Sequence, residues 1–305
     1  MTAGVTVLGI DIGGIGIKVC LLDADGSVVA HDRIPTPPGG EAMVEAAAAL
    51  GETLAADQQR RIHAAGAGVA GVVEDGVVTA ASSSFTDWTG YPVRAALETR
   101  LGVPAVVMND VNAFLVGEAT LGAVRAERDV LGVTLGTGVG GAVWLDGALY
   151  LGRSGAAGEI GHMPGFGSEP CTCGQAGHLE TLASGRGVAR RYLAGGGAPL
   201  TDGAAEVAAR ARTGDELAGR VFREAGAGVA RAALMVAAVV DVVDVVIGGG
   251  LAQSPDLLRP AIEAAVAAEP PVSGRPVRIH FAALGSLAAA VGAASQAAIP
   301  IQSGA

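Results

Sequence analysis

The stretch from Gly158 to Thr181 concentrates metal-binding and acidic side chains in a loop punctuated by glycine and proline. His162, Cys171, Cys173 and His178 offer two imidazoles and two thiolates at short spacing, which is the ligand chemistry of tetrahedral zinc. The alternative interpretation is two structural cysteines and two surface histidines. The spacing favours a metal, and we predict a structural zinc site of the Cys₂His₂ type.

Two carboxylates flank these four residues, Glu159 and Glu180. We expect the metal to fold the loop so that Glu159, His162 and Glu180 converge on a ligand. Imidazole has two ring nitrogens, so His162 could bind zinc through one and a ligand hydroxyl through the other. Such an arrangement would couple the structural metal to ligand recognition.

Two glycine-rich loops each follow an apolar strand, at residues 11–16 and 136–141. Glycine lets backbone N–H groups approach phosphate oxygens without a side chain in the way. The candidate residues are Asp11, Gly13, Gly14, Gly136, Thr137 and Gly138, and Asp11 could orient Mg²⁺ through water. Either loop alone is more simply an ordinary tight hairpin, but their recurrence favours a nucleotide clamp between two lobes.

Asn109 and Asp110 lie where an apolar strand, 105–108, runs into a helical segment, 111–121. An aspartate in this position is usually an N-cap, which is the first interpretation of Asp110. The alternative is a general base, since a carboxylate near a sugar hydroxyl can take its proton as that oxygen attacks a γ-phosphate.

The elements around these residues repeat. Leu8–Gly13 can be laid over Leu131–Gly136: in both, an apolar strand runs into a glycine-rich loop, a second strand and an Asp-Gly turn. Repetition at this distance predicts two related lobes, and alternating strands and helices predict an α/β fold. Further along, 64–73 is predicted as one strand and 215–240 as a helix whose Gly226 and Gly228 weaken the prediction.

Composition excludes several classes of function. The net charge is −10 and Lys/Arg residues occur at most in pairs, so nucleic acid is not an expected partner. Half of the residues are hydrophobic, but their runs fall short of the roughly 18–20 residues that a membrane span needs. Three cysteines and no signal-peptide pattern suit a reducing cytoplasm, where we expect the protein to act.

Taken together, these motifs resemble the ROK family of sugar kinases and sugar-responsive repressors. The resemblance covers essentially the whole chain and rests on the order of the following segments: Gly9–Gly14, Asn109–Ala113, Leu135–Gly141, Gly158–His162, Cys171–Gly174, Leu179–Glu180 and Ile247–Gly250. Each segment is modest by itself, but the set in this order is specific.

The resemblance implies a duplicated actin-like (ribonuclease-H-like) α/β fold with ATP and sugar in the cleft between two lobes. The expected lobes are residues 1–118, with a C-terminal helix at 286–305 packing back on them, and residues 119–285, which carry the zinc loop. It implies Asp110 as catalytic base. The implied sugar contacts are Asn109, Asp110, Glu159, His162, Glu180 and Ser84, and the glycine loops with Gly248, Gly249 and Gly250 bind the nucleotide. ATP with Mg²⁺, structural Zn²⁺ and a homodimer are the further expectations.

Three positions depart from the family pattern. His178 stands where a third zinc cysteine is usual, Ile15 replaces the threonine that commonly follows Gly13-Gly14, and Ser84 aligns with a sugar-contacting asparagine. Asp87 is a candidate replacement for that asparagine. The segment 16–18 resembles polyphosphate-using glucokinases, which leaves the phosphoryl donor open.

The resulting expectation is a cytoplasmic kinase that phosphorylates a hexose, most simply glucose at its 6-hydroxyl, with ATP. The alternatives are a kinase for N-acetylhexosamine, mannose or fructose, a polyphosphate-using kinase, and a catalytically weak sugar-binding or sugar-sensing protein. A DNA-binding regulator is a weaker alternative, because the first strand is expected to begin near Val5 and the chain is acidic.

Overall fold

A computed structural model describes residues 5–82 and 85–303 of the chain. The predicted sugar contact Ser84 lies outside the described residues. The strands are β1 (Thr6–Ile12), β2 (Gly16–Asp23), β3 (Val28–Pro35), β4 (Ile62–Val69), β5 (Val72–Glu74), β6 (Val77–Ala80), β7 (Ala105–Asn109), β8 (Val130–Leu135), β9 (Val139–Leu145), β10 (Ala148–Tyr150), β11 (Asp244–Gly248) and β12 (Arg278–Phe281). The helices are α1 (Gly40–Asp57), α2 (Val93–Leu101), α3 (Asp110–Thr120), α4 (Leu179–Ala183), α5 (Gly185–Ala194), α6 (Gly203–Arg212), α7 (Glu216–Val240), α8 (Pro255–Ala268) and α9 (Ala288–Ser303).

Two sheets of the described residues share one topology. Their strand orders are β3-β2-β1-β4-β7 and β10-β9-β8-β11-β12, each with five strands. In each sheet an antiparallel meander of three strands is extended on one side by two parallel strands. The duplication predicted from Leu8–Gly13 and Leu131–Gly136 is therefore confirmed, since those segments occupy equivalent places at the ends of β1 and β8.

The chain divides into two compact units, each built on one of these sheets. Unit 1 contains the described residues of Met1–Ala126, Leu151–Ala156 and Ala283–Ala305, and unit 2 contains Glu127–Tyr150 and Ala157–Ala282. The central strand of unit 1, β1, is buried at every position, as expected for a strand covered on both faces. Among the described helices, none is both long and apolar enough to traverse a bilayer.

Two sequence predictions about local structure need correction or completion. The strand predicted at 64–73 is two strands, because the chain turns at Ala70 and Gly71, where Gly71 has φ +114°. Helix α7 runs unbroken through Gly226 and Gly228. A Cβ at Gly228 would lie 2.4 Å from Leu182, so this glycine serves close packing and does not end the helix.

Helix α9 lies against β1, β4 and α3 at backbone distance. The glycines of these elements leave room for it: a Cβ built on Gly9 would lie 2.2 Å from the carbonyl oxygen of Ala290, and one on Gly66 would lie 1.9 Å from that of Ala293. From the helix side, a Cβ on Gly292 would lie 1.9 Å from the carbonyl oxygen of Ala113 in α3. Absence of side chains at these points thus allows α9 to cover the sheet of unit 1.

We expect Gly66→Ala to destabilise unit 1 by about 2–4 kcal/mol, because the clash is with backbone and no rotamer change relieves it. Gly219→Ala in α7 is the matched control: its Cβ meets only the tip of Arg223, at 3.2 Å, and alanine is the better helix former. Chemical denaturation measures both. Equal stability of the two variants would contradict close packing of α9.

A buried carboxylate, Asp244, joins the first residues of β11 and β12. Arg278 donates to it through Nε at 2.7 Å and through Nη2, and His280 Nε2 lies 2.9 Å from Asp244 Oδ1. Burial alone would raise the pKa of Asp244, but the hydrogen bonds from Arg278 and His280 outweigh it and hold the pKa below its ordinary value. The ionised form is therefore favoured by folding.

Because its folded-state pKa lies below the unfolded one, Asp244 stabilises the fold above about pH 4 and loses this contribution as the pH falls through the folded pKa. We expect Asp244→Asn to lower the free energy of unfolding by about 2–4 kcal/mol at pH 7. The difference should shrink toward pH 3. Thermal unfolding of Asp244→Asn between pH 3 and pH 7 measures this dependence, with Asp57→Asn, at the exposed end of α1, as the control. A loss of stability that does not change with pH would contradict the stabilising role of the ionised Asp244.

Candidate functional site

In unit 1 the candidate residues meet at one edge of the sheet. Strands β1, β4 and β7 are parallel, and Ile12 pairs with Val69, which pairs with Asn109. The carboxyl ends of the three strands are therefore aligned, at a spacing of about 4.8 Å from each strand to the next. This topology brings the loop of Gly13 and Gly14 to the same edge as Asn109 and Asp110.

Asn109, and not Asp110, caps helix α3. The Asn109 Oδ1 accepts from the N–H groups of Val111 at 2.9 Å and Asn112 at 3.1 Å, while its Nδ2 donates to the Gly71 carbonyl at 3.0 Å. The N-cap interpretation of Asp110 is thus wrong. Asp110 is the first residue of the helix, at the positive end of the helix dipole.

The Asp110 carboxylate is oriented by its neighbours. Its Oδ1 accepts from the Val111 N–H at 3.0 Å and from Asn109 Nδ2 at 3.1 Å. One amide side chain therefore caps the helix, fixes the bend at Gly71 and aligns the adjacent carboxylate. The residue is partly buried, as a group that must reach a ligand needs to be.

The loop between β1 and β2 is a tight turn at that edge. The N–H of Gly13 donates to the Gly16 carbonyl at 3.2 Å, and Thr36 Oγ1 donates to the Gly13 carbonyl at 2.6 Å. A Cβ at Gly14 would lie 3.4 Å from the ring of Phe85. Ile15, which replaces a hydroxyl-bearing residue, is 84% exposed and contributes no polar group to the turn.

Asp11 lies at the end of β1, opposite Lys18 in β2. Lys18 Nζ donates to Asp11 Oδ2 at 2.6 Å. Burial raises the pKa of Asp11 above its ordinary value, and the ion pair with Lys18 offsets part of that rise. The carboxylate is thus held by a lysine of its own hairpin.

Unit 2 repeats this arrangement with different chemistry. Strands β8 and β11 are parallel and Thr134 pairs with Gly248, so the loop at 136–138 and the segment Gly248–Gly250 lie at one edge. Gly249 has φ +89°, and a Cβ there would lie 2.6 Å from the Leu135 carbonyl oxygen. Only glycine permits this approach of the two segments.

Glu180 lies beside the loop at 136–138, in the first turn of α4. This short helix was not predicted, because five residues between His178 and Ser184 carry little periodic signal. Glu180 Oε2 accepts from the Val139 N–H at 3.2 Å, and a Cβ at Gly138 would lie 2.5 Å from the same oxygen. Its side chain is only 12% exposed.

The four predicted metal ligands come together in unit 2. One ligand atom from each of His162, Cys171, Cys173 and His178 can be chosen so that all lie within 4.8 Å of one another. His162 Nδ1 is 3.4 Å from His178 Nδ1 and 3.8 Å from Cys171 Sγ, and Cys173 Sγ is 3.3 Å from His178 Nδ1.

These separations test the fit to zinc. Bonds of about 2.0–2.1 Å to nitrogen and about 2.3 Å to sulfur imply tetrahedral edges of about 3.3–3.8 Å. The three separations fall in that range. His178 faces the cluster through Nδ1, the ring nitrogen nearer to its backbone, so a histidine can reach the place of the usual cysteine.

The remaining predicted residues of this loop lie at its exposed side. Glu159 directly precedes a 3₁₀ turn, Ile160–His162, which places the two side chains on one face, with Glu159 Oε2 4.0 Å from His162 Nε2. Since Nδ1 of His162 faces the other three predicted ligands, Nε2 is directed away from them. Glu159 and His162 side chains are 52% and 37% exposed, so both can contact a ligand.

Two side chains that the sequence analysis did not single out contact Glu180. Thr172 Oγ1 donates to Glu180 Oε1 at 2.7 Å, and Arg186 Nη2 lies 3.8 Å from the same oxygen. Arg186 also donates through Nε to the Thr137 carbonyl at 3.1 Å. Position between the two cysteines was the only sequence signal for Thr172.

Comparison with known proteins agrees with this architecture. Residues 7–298 match the sequence profile of the ROK family. A glucokinase of Streptomyces coelicolor is 34% identical over 320 residues, covering 97% of this chain and 98% of the relative. An N-acetylmannosamine kinase of Shigella flexneri is also 34% identical, over 81% of this chain and 84% of the relative.

A solved structure gives the same result for the fold. The ROK family glucokinase from Streptomyces griseus, crystallised with glucose and AMPPNP, superposes with a TM-score of 0.82 at 32% identity. The alignment covers 96% of this chain and 99% of that one. The predicted fold class, a duplicated actin-like ATPase fold, is confirmed, and the chain belongs to the ROK family.

Proposed function

We propose that this protein is a carbohydrate kinase that transfers the γ-phosphate of ATP to a hydroxyl of a hexose, with glucose as the favoured acceptor. The observation that carries the proposal is the pairing of Asn109 with Asp110 at a sheet edge that also bears a glycine turn. The similarity to a glucokinase over 97% of the chain supports the choice of glucose.

In this mechanism Asp110 acts as the general base. The Asn109 amide and the Val111 N–H hold Oδ1 of Asp110, so the carboxylate is oriented before the sugar arrives. It would take the proton of the acceptor hydroxyl as that oxygen attacks the γ-phosphorus, while the bond from phosphorus to the bridging oxygen of ADP breaks. Preorientation matters because phosphoryl transfer depends mainly on positioning and charge stabilisation.

The residues of unit 2 would bind the two substrates. Glu159, Glu180 and His162 Nε2 would form hydrogen bonds with sugar hydroxyls. The Gly136 N–H donates to the Gly138 carbonyl at 2.9 Å and shapes the loop, so the N–H groups of Thr137 and Gly138 would donate to phosphate oxygens, with Gly248–Gly250 beside the adenosine. Mg²⁺, when bound with ATP, would neutralise phosphate charge, and Asp11 is the carboxylate that would hold it through water.

Zinc would have a structural role in this protein. The residues that would hold it are His162, Cys171, Cys173 and His178, and it would fix the loop from Gly158 to Thr181. Because His162 turns Nδ1 toward the cluster, the metal would also set the direction of Nε2. The affinity for sugar would therefore depend on the metal.

A second candidate acceptor is N-acetylmannosamine, since a kinase for that sugar reaches the same 34% identity as the glucokinase, over 81% of this chain against 97%. Polyphosphate is a second candidate donor, because Ile15 adds no hydroxyl to the glycine turn between β1 and β2, and Lys18 adds a cation beside that turn. A panel of glucose, mannose, fructose, N-acetylglucosamine and N-acetylmannosamine with each donor separates these possibilities. Turnover with none of the pairs would contradict a kinase and favour a sugar-binding protein.

We expect Asp110→Asn to lower kcat by roughly 10²–10⁴-fold, the usual contribution of a general base, with sugar binding retained. Asparagine keeps an oxygen for the Val111 N–H, so the start of α3 should be preserved. Asp57→Asn, on an exposed carboxylate of the same unit, should leave kcat unchanged. Coupled ADP release and sugar-binding calorimetry measure the two effects; near-normal turnover of Asp110→Asn would refute the assignment.

We expect purified protein to contain about one zinc per chain, since the cluster offers one set of four ligands. Cys171→Ser should lose the metal and weaken sugar binding, whereas Cys20→Ala, at the remaining cysteine of the chain, should keep it. Elemental analysis and calorimetry test this. A wild-type protein that lacks zinc and still binds sugar would overturn the structural role of the metal.

A further inference from the structure

The hydroxyl of Thr172 connects the metal loop to a carboxylate outside the ligand set. Thr172 stands between Cys171 and Cys173, so its backbone is fixed by whatever orders the two sulfur atoms. Its Oγ1 donates to Glu180 Oε1 at 2.7 Å, a length typical of a strong hydrogen bond to a carboxylate. The next group near that oxygen is Arg186, at 3.8 Å, beyond hydrogen-bond distance.

The other oxygen of Glu180 is held by a different loop. Oε2 accepts from the N–H of Val139, the residue that follows Gly138 in the proposed phosphate loop. Each carboxylate oxygen can accept more than one hydrogen bond, so both oxygens keep capacity for a ligand hydroxyl. Glu180 is thus clamped at one end by the metal loop and at the other by the phosphate loop.

We propose that Thr172 is a positioning residue, which holds Glu180 in the orientation that accepts a sugar hydroxyl and so transmits the order of the metal loop to sugar affinity. This inference rests on the proposed function, because it assumes that Glu180 binds sugar. Without the hydroxyl, the groups left near Oε1 are Arg186, at 3.8 Å, and the Cys171 thiol, at 4.0 Å, and the carboxylate turns toward them, away from the position that the two loops define.

The test compares Thr172→Val, which keeps the shape and removes the hydroxyl, with Thr172→Ser, which keeps the hydroxyl. We expect Thr172→Val to raise the KM for sugar roughly three- to ten-fold, the worth of one hydrogen bond, with the KM for ATP and the zinc content unchanged. Thr172→Ser should restore the wild-type KM. Thr213→Val, which removes an exposed hydroxyl bonded only to the Arg210 carbonyl in the described structure, is the matched control.

A double-mutant cycle identifies the partner of the hydroxyl. In a Glu180→Gln background, Thr172→Val should change sugar dissociation, measured by calorimetry, by less than two-fold, because the charged acceptor is already gone. Equal effects of Thr172→Val in both backgrounds would overturn the inference, as would an unchanged KM or a lower KM, which would mean that the hydroxyl competes with sugar. Failure of the proposed function would appear instead in the wild type, as absence of both turnover and sugar binding.

Discussion

The register of parallel strands is the constraint on which the candidate residues of each unit depend. In a sheet whose strands run the same way, every strand delivers its last residue to one edge, and polar groups placed after the strands are gathered without any contact of their own. Unit 1 uses this edge for Asn109, Asp110 and the glycine turn, and unit 2 uses it for two glycine segments. Because the topology is duplicated, the chain has two such edges, and the loops at the two edges carry different side chains.

The second constraint is that Asp110 and Glu180 are each placed close to the backbone of a neighbouring loop. Asp110 is oriented by an asparagine that also bonds the Gly71 carbonyl, and Glu180 packs where Gly138 has no side chain. In both places a carboxylate accepts hydrogen bonds from a backbone N–H and from the side chain of a neighbouring residue, Asn109 for Asp110 and Thr172 for Glu180. Such donors fix the orientation of a carboxylate.

Much of this architecture could be predicted from the sequence, and the failures have definite physical causes. The repeated strand-glycine pattern predicted the duplication, and thiols with imidazoles predicted the cluster that the side chains form. Adjacent Asn109 and Asp110 can each cap a helix, so the sequence could not distinguish them. The break at Gly71 depends on bonds from the Asn109 and Trp88 side chains to the bend, and such long-range contacts leave no local pattern. The hydrogen bond from Thr172 to Glu180 forms only once the loop between them is folded, so no local sequence pattern marks it.

The packing of α9 on β1 and β4 has a consequence for how the chain folds during its synthesis. Unit 1 is discontinuous, since its sheet is translated early and the helix that covers Gly9 and Gly66 is translated after all of unit 2. A nascent chain on the ribosome therefore carries a bare, glycine-lined face of that sheet until residues 283–303 emerge. Unit 2 can fold first, and the unit that bears Asp110 acquires its final packing only after α9 has emerged.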